Sequence, residues 1–151
     1  SIQRKCWNED RCTFQTNTMN IKLLNEYVEN KMGMPFEWGV NDCNTFAAGY
    51  LDHVKGTNWL SVFKGKYKNK FGAIRFQRKF DKTPSSVLLE EGLKKISVYE
   101  VRQGDILIKK DKIYEMAHIV INDKVVSVDE EIGTAPLPIS DLKTFDVAFR
   151  F

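Results

Sequence analysis

The chain has 151 residues, of which 42% are hydrophobic and 28% charged, and its net charge is +3. That length and balance suit one globular domain with a real core, and they exclude a disordered polymer or a general polycation. No run of 18 or more apolar residues is present, so no membrane-spanning helix is expected.

Residues 1–18 are polar and irregular, with Trp7 and Phe14 as isolated apolar anchors, and they read as an N-terminal arm ahead of a domain over 19–151. The opening SIQRKCWNEDRC lacks the apolar centre of a signal peptide, so export is not expected. Cys6, Cys12 and Cys43 are the cysteines, and an odd, low count argues against a disulfide scaffold. With no His or third Cys near them in sequence, Cys6 and Cys12 read as free thiols; no metal or cofactor is expected.

A helix is predicted over about 20–32, from Ile21, Leu24, Tyr27, Val28 and Met32 on one face. Gly33 stops it and Met34-Pro35 forces an extended segment. The next helix is predicted from Cys43 to about Val54, with Asp42 or Asn41 as N-cap and Gly56 as terminator. Residues 57–82 are mixed, with a helix at 71–80 carried by Phe71, Ile74, Arg75 and Phe80. Pro84 opens a short helix that runs to Glu91 and ends at Gly92.

Beyond this point the period changes to two. Strands are predicted at Lys95–Val98, Asp105–Lys109, Met116–Ile121, Lys124–Val128 and Asp146–Arg150, with Gln103-Gly104 as a turn and Asn122-Asp123 as a hairpin. Pro136 and Pro138 mark an irregular excursion before the last strand. Helices first and antiparallel strands last is the α+β pattern.

Cys43 is the candidate nucleophile. A helix start offers partial positive charge and unpaired N–H groups, which favour a thiolate. Trp38, Gly39 and Asp42 lie just before it and can wall the thiol. Only two histidines can serve as base. His53 is ten residues along the same helix, about 15 Å away by helical rise, and is out of reach. His118, in the strand MAHIVI, is the remaining partner, with Ser127 or Asp129 as the third polar group. The Cys43 backbone N–H would hold an oxyanion. The structural alternative gives Cys43 and His118 as core residues, since free Cys is commonly buried.

Residues 64–82 carry Lys64, Lys66, Lys68, Lys70, Arg75, Arg78, Lys79 and Lys82 against Asp81, with Tyr67, Phe71, Phe76 and Phe80 between them. This stretch reads first as a solvated basic face with its aromatics turned into the core. A docking surface for an acidic partner comes second and a nucleic-acid site last. The acidic run Asp129–Glu131 could answer it within the chain or between copies.

The segment PFEWGVNDCNTFAAGYLDHVKG resembles the nucleophile segment of NlpC-type, papain-like cysteine peptidases, in particular a subset encoded by tailed phages. FKGKYKNKFGAIRF resembles that subset's Gly-x-Tyr followed by Gly-Ala-x-Arg, VRQGDILI its Arg-x-Gly-Asp turn into a core strand, and PLPISDLKTFDVAFRF its closing loop and strand. The resemblance covers roughly 34–151. It implies a papain-like α+β fold and a place in the virion at a phage tail tip, made in the host cytoplasm, with other tail proteins as partners. It also implies cleavage of peptidoglycan stem peptides, with Cys43 as nucleophile. Aligned on the hairpin, Met116 stands where the family has its histidine, and His118 falls two residues further, about 7 Å along the same side of the strand. Two functions from different classes follow: a peptidoglycan peptidase, or an inactive tail-tip component that uses the same scaffold to bind partners.

Overall fold

The computed structural model describes residues 21–151 except Lys112 and Ser140. The proposed arm at 1–18, with Cys6 and Cys12, lies outside the described residues. The first helix, α1, covers 21–31. Leu24, Tyr27 and Val28 are buried, whereas Ile21 and Met32 at its two ends are exposed. Gly33, at φ 81°, turns the chain out of it.

Helix α2 spans Cys43–Lys55 and is the central helix. Asp42 caps it through a reciprocal pair with Thr45: the Asp42 carboxylate accepts from the Thr45 N–H, and the Asp42 N–H donates to Thr45 Oγ1. Such a capping box satisfies two otherwise orphaned donors, and losing an N-cap typically costs about 1 kcal/mol. At the other end, Gly56 in the left-handed conformation closes the helix. Its inner stripe of Phe46, Ala47, Tyr50 and Leu51 is buried.

Three short helices follow: α3 (Leu60–Phe63), α4 (Lys70–Lys79) and α5 (Pro84–Glu90). The sequence does not announce α3, whose four residues are too few for a period. Asp52, on α2, anchors it by accepting from the Trp59 and Leu60 N–H groups at 2.7 and 2.8 Å. Helix α4 lies where periodicity places it, but its aromatics correct the expectation of an inward stripe. Tyr67 is buried, yet Phe71 is 79% and Phe80 52% exposed. The buried residues of α4 are Ala73 and Gln77.

The strands are β1 (Lys94–Ile96), β2 (Ile106–Lys110), β3 (Glu115–Ile121), β4 (Lys124–Asp129), β5 (Gly133–Pro138) and β6 (Val147–Arg150). They form one antiparallel sheet in the order β1-β6-β2-β3-β4-β5. The chain is therefore an α+β fold. The predicted excursion at Pro136 and Pro138 is in fact β5, paired along the whole of β4 with Val126 opposite Pro136 and Lys124 opposite Pro138. Proline is tolerated there because β5 is the edge strand and residues two apart turn their nitrogens the same way, off the ladder.

One face of the sheet carries Ile106, Ile108, Ala117, Ile119, Val126 and Val128 against α1, α2 and α5. The other face carries Leu107, Val120, Val125 and Ala148, covered by Phe145, Leu142 and Ile139 from the β5–β6 connection. Buried Asp105 ties the two strand ends together: its carboxylate accepts from Arg150 Nη2 at 2.8 Å and from the Arg102 N–H at 2.7 Å. No helix among the described residues is long and apolar enough to cross a membrane.

Candidate functional site

Cys43 is the first residue of α2, and its side chain is buried at 6% exposure. The extended segment before it folds into a tight turn, with a bridge between Glu37 and Asn41 and Gly39 at φ 80°. Glycine is required at that point twice over. The φ is left-handed, and a Cβ on Gly39 would collide with the Tyr67 carbonyl oxygen. Asn41 pins the turn from below, its Nδ2 donating to the Pro35 carbonyl at 2.9 Å and to Thr134 Oγ1 at 3.1 Å.

Asp42 is fully buried and is the hub of a polar network. Its Oδ2 accepts from the Gly39 N–H at 2.7 Å, and its Oδ1 accepts from the Thr45 N–H at 2.9 Å and from Tyr67 Oη at 3.1 Å. Tyr67 Oη in turn accepts from Asn44 Nδ2 at 3.0 Å, and Asn44 Oδ1 accepts from Gln77 Nε2 at 2.8 Å. Gln77 then bonds both backbone groups of Glu115 on β3. A chain of buried hydrogen bonds thus links the turn, α2, α4 and β3. Fully satisfied networks of this kind fix one arrangement of their elements. Asn44, Tyr67 and Gln77 escape the sequence reading. The Gly-x-Tyr and Gly-Ala pair was the available signal: Gly72 and Ala73 give Tyr67 its room, and a Cβ on Gly72 would press on the Tyr67 Cβ.

The thiol itself faces the seam between β3 and β4. Ladder pairing of these strands covers Ile119–Ile121 with Lys124–Val126. Beyond it, Ser127 Oγ donates to the Ala117 carbonyl at 3.2 Å. Cys43 Sγ lies 3.8 Å from both Ser127 Oγ and the Val128 carbonyl oxygen. The Ala117 backbone also lies close enough to favour the thiolate, and no imidazole hydrogen-bonds the thiol among the described residues. Burial pushes the Cys43 thiol up to about 11; the Ser127 hydrogen bond opposes that shift and the Asp42 charge adds to it.

A cleft of about 280 Å³ opens over this seam. Cys43, Trp38, Met116, His118, Ser127 and Asp129 all line it. His118 pairs across the strand with Leu107 and packs edge-on against Phe145 at 5.1 Å, on the sheet face away from α2. Its Nδ1 is buried without a hydrogen-bond partner among the described residues. Burial drives its pKa down to about 4, so it is neutral at pH 7. Met116, two residues earlier, joins a small cluster with Trp38, Tyr67 and Tyr114. Asp129 is exposed at the end of β4, and its Oδ1 accepts from the Glu131 and Ile132 N–H groups, so it caps a turn. His53 is exposed and pairs with Glu26 at 3.3 Å, far from the cleft.

The structure brings Cys43, Ser127 and Trp38 into one cleft, whereas Asp42 is buried at the helix start and bonds Gly39, and neither of those two lines the cleft. His118 and Asp129 share the cleft without bonding the thiol. Tyr114, from the segment just before β3, was not anticipated. It lines the cleft, is 7% exposed, stacks edge-on with Trp38 at 6.2 Å, and has a buried hydroxyl with no hydrogen-bond partner among the described residues.

Residues 19–151 match the sequence model of a family described as a domain of unknown function, DUF6950. No curated protein matches the chain.

Proposed function

The chain belongs to the DUF6950 family, whose function is unknown, and on that premise we propose that it is a papain-like, NlpC-type domain acting as a non-hydrolytic component of a phage tail tip. The scaffold part of this reading is supported by Cys43 at the start of a capped central helix, laid on an antiparallel sheet. The tail-tip part rests on the resemblance of the segments around Cys43, Tyr67, Asp105 and Phe149.

One observation carries the non-hydrolytic part: the thiol has Ser127 Oγ and the Val128 carbonyl as polar neighbours, and among the described residues no base bonds to it. A cysteine peptidase needs thiolate, and a thiol of pKa about 11 is ionised to roughly one part in ten thousand at pH 7. Met116, at the place where the family resemblance sets a histidine, offers a thioether that cannot accept the proton. His118 is neutral and could accept one, but its ring is held against Phe145.

A second reading, the peptidase, keeps one observation in its favour. Cys43 and His118 line the same cleft, and catalytic bonds can tighten only when substrate is bound. Zymography on purified peptidoglycan decides between the two. Wild type and Cys43→Ala are both expected to leave the wall intact; clearing by wild type that is lost in the variant would overturn the proposal. For the tail-tip role, the protein is expected in purified virions by mass spectrometry. Its absence from particles, with presence in the lysate, would remove that role.

A further inference from the structure

The stretch around α4 presents a surface that the packing of the fold does not account for. Phe71 is the most exposed large apolar side chain among the described residues, at 79%, and Phe80 is 52% exposed. Single apolar residues on a surface are ordinary, but these two line one hollow of about 380 Å³, with the half-buried Phe76 beside them. Cations line it too: Lys66 and Lys68 from the loop before α4, and Arg75 and Lys79 from the helix. Phe71, Arg75 and Lys79 recur at four-residue spacing, so they share one face of α4. All four cations are exposed, and none of them takes part in an ion pair among the described residues. Arg75 and Lys79, like charges one turn apart, weaken the helix rather than support it. A solvated basic face needs no exposed phenylalanine, and a core stripe would have turned these rings inward.

Apolar rings and unanswered cations together complement an acidic segment that also carries an apolar side chain. A nucleic-acid strand fits this face less well. Stacking successive bases takes successive free rings, and in this hollow only Phe71 offers one. The Phe80 ring lies 5.2 Å from that of Phe76, and Lys79 Nζ stands 5.5 Å from its centroid. The net charge of the whole chain is only +3, so its basic character is local, not a field that gathers a long polyanion. From the exposed Phe71 and Phe80 rings and the unpaired cations around them, we infer that this face of α4 docks an acidic segment of a partner polypeptide. The segment seats an apolar side chain in the hollow and sets its carboxylates against Lys66, Lys68, Arg75 and Lys79. Apolar burial supplies most of the affinity, while charge supplies selection and rate. Cys43 and His118 take no part, so the inference stands apart from the reading of their cleft.

The test uses the full chain and the blocked peptide acetyl-Asp-Glu-Phe-Asp-Glu-amide, with two counterparts. One replaces the acids by Asn and Gln, the other replaces Phe by Ala. Binding is read from the backbone N–H signals of Phe71, Arg75 and Lys79 by NMR titration at low salt. The acidic Phe peptide is expected to shift these signals saturably and to lose affinity as salt rises. The neutral peptide should bind about ten-fold more weakly, and the Ala peptide about three-fold or more. Phe71→Ser should weaken the Phe peptide by about three-fold or more. Arg75→Gln with Lys79→Gln should weaken it by about ten-fold and flatten its dependence on salt. All three substitutions lie at exposed positions, and far-UV circular dichroism checks that each variant is folded. No saturable shift with the acidic peptide, equal binding of the neutral one, or full affinity in Phe71→Ser would overturn the inference. So would an oligothymidylate strand that binds the same face more tightly than the peptide, since that would make it a nucleic-acid site. A dimer seen by sedimentation that Arg75→Gln with Lys79→Gln dissolves would give the face to a second copy and overturn the separate partner.

Discussion

The two walls of the cleft are built on opposite terms. On the α2 wall every polar group is answered: Asp42 accepts from Gly39, Thr45 and Tyr67, and the chain of bonds runs on through Asn44 and Gln77 to β3. On the facing wall, the Tyr114 hydroxyl and His118 Nδ1 are buried without a hydrogen-bond partner among the described residues. The first wall is determined by the chain itself. The second is held by packing: the His118 ring lies against Phe145, and Tyr114 lies against Trp38. In a peptidase the second wall would deliver a base to the first, but here it delivers Met116 and a ring turned toward Phe145.

If the α2 wall is the fixed one, Asp42→Ala should have the largest effect on the fold. It removes the acceptor for several buried donors at once, and a loss of about 3–4 kcal/mol is expected in urea denaturation. A loss below about 1 kcal/mol would show that the network is not what sets this wall. On the facing wall, His118 makes stability depend on pH. Its folded pKa, about 4, lies below the usual 6.5. Between those values the unfolded chain takes up a proton that the folded chain refuses. Stability is therefore complete above pH 6.5 and drains away as pH falls toward 4, by about 3 kcal/mol. His118→Leu should lack this increment, so the gap between variant and wild type should close at pH 7 and open at pH 4.5. Parallel curves would place the ring in solvent.

Cys43 sits between the walls and gives a smaller, sharper measurement. In a Cys6→Ser, Cys12→Ser background, its alkylation rate should keep climbing past pH 10, in line with a thiol near 11. A plateau below pH 8 would mean an activated thiolate and would revive the peptidase. Cys43→Ala should cost only about 1 kcal/mol, read from the same urea curves. The smallest effect belongs to Phe71, outside both walls and 79% exposed. Phe71→Ser should change stability by no more than about 0.5 kcal/mol, and a larger change would put this ring in a contact beyond the described residues.

What the sequence disclosed follows how far each signal travels along the chain. Local signals were legible. Asp42 and Gly56 bracket α2, Pro84 opens α5, and Asn122-Asp123 turns β3 into β4, because caps and turns are written in neighbouring residues. Period-two patterning located five of the six strands. The sixth, β5, was hidden by Pro136 and Pro138, since whether proline suits a strand depends on which side of it is paired, and that is a property of the assembled sheet. Phe71 and Phe80 misled for a related reason: Ala73 and Gln77 take the inward face of α4, and a polar Gln there makes sense only once Asn44 and Glu115 are beside it. In the site, Cys43 at its helix start was legible from one stretch of chain, whereas Ser127, read as the group that would orient the His118 ring, stands beside the thiol instead. Tyr114 was not, because an unanswered hydroxyl is visible only when its whole surroundings are known.

The edges of the sheet set a limit on how this protein can assemble. At one end β1 is three residues long and offers exposed Lys94 and Lys95, and at the other β5 offers two prolines. Charge and brevity discourage a newcomer at the first border, and missing N–H groups deny it a continuous ladder at the second. Among the described residues, both edges of the sheet therefore resist joining a second sheet. Such borders favour contacts through side chains, which can be specific and reversible, over main-chain pairing, which would join any copy to any other and grow without end.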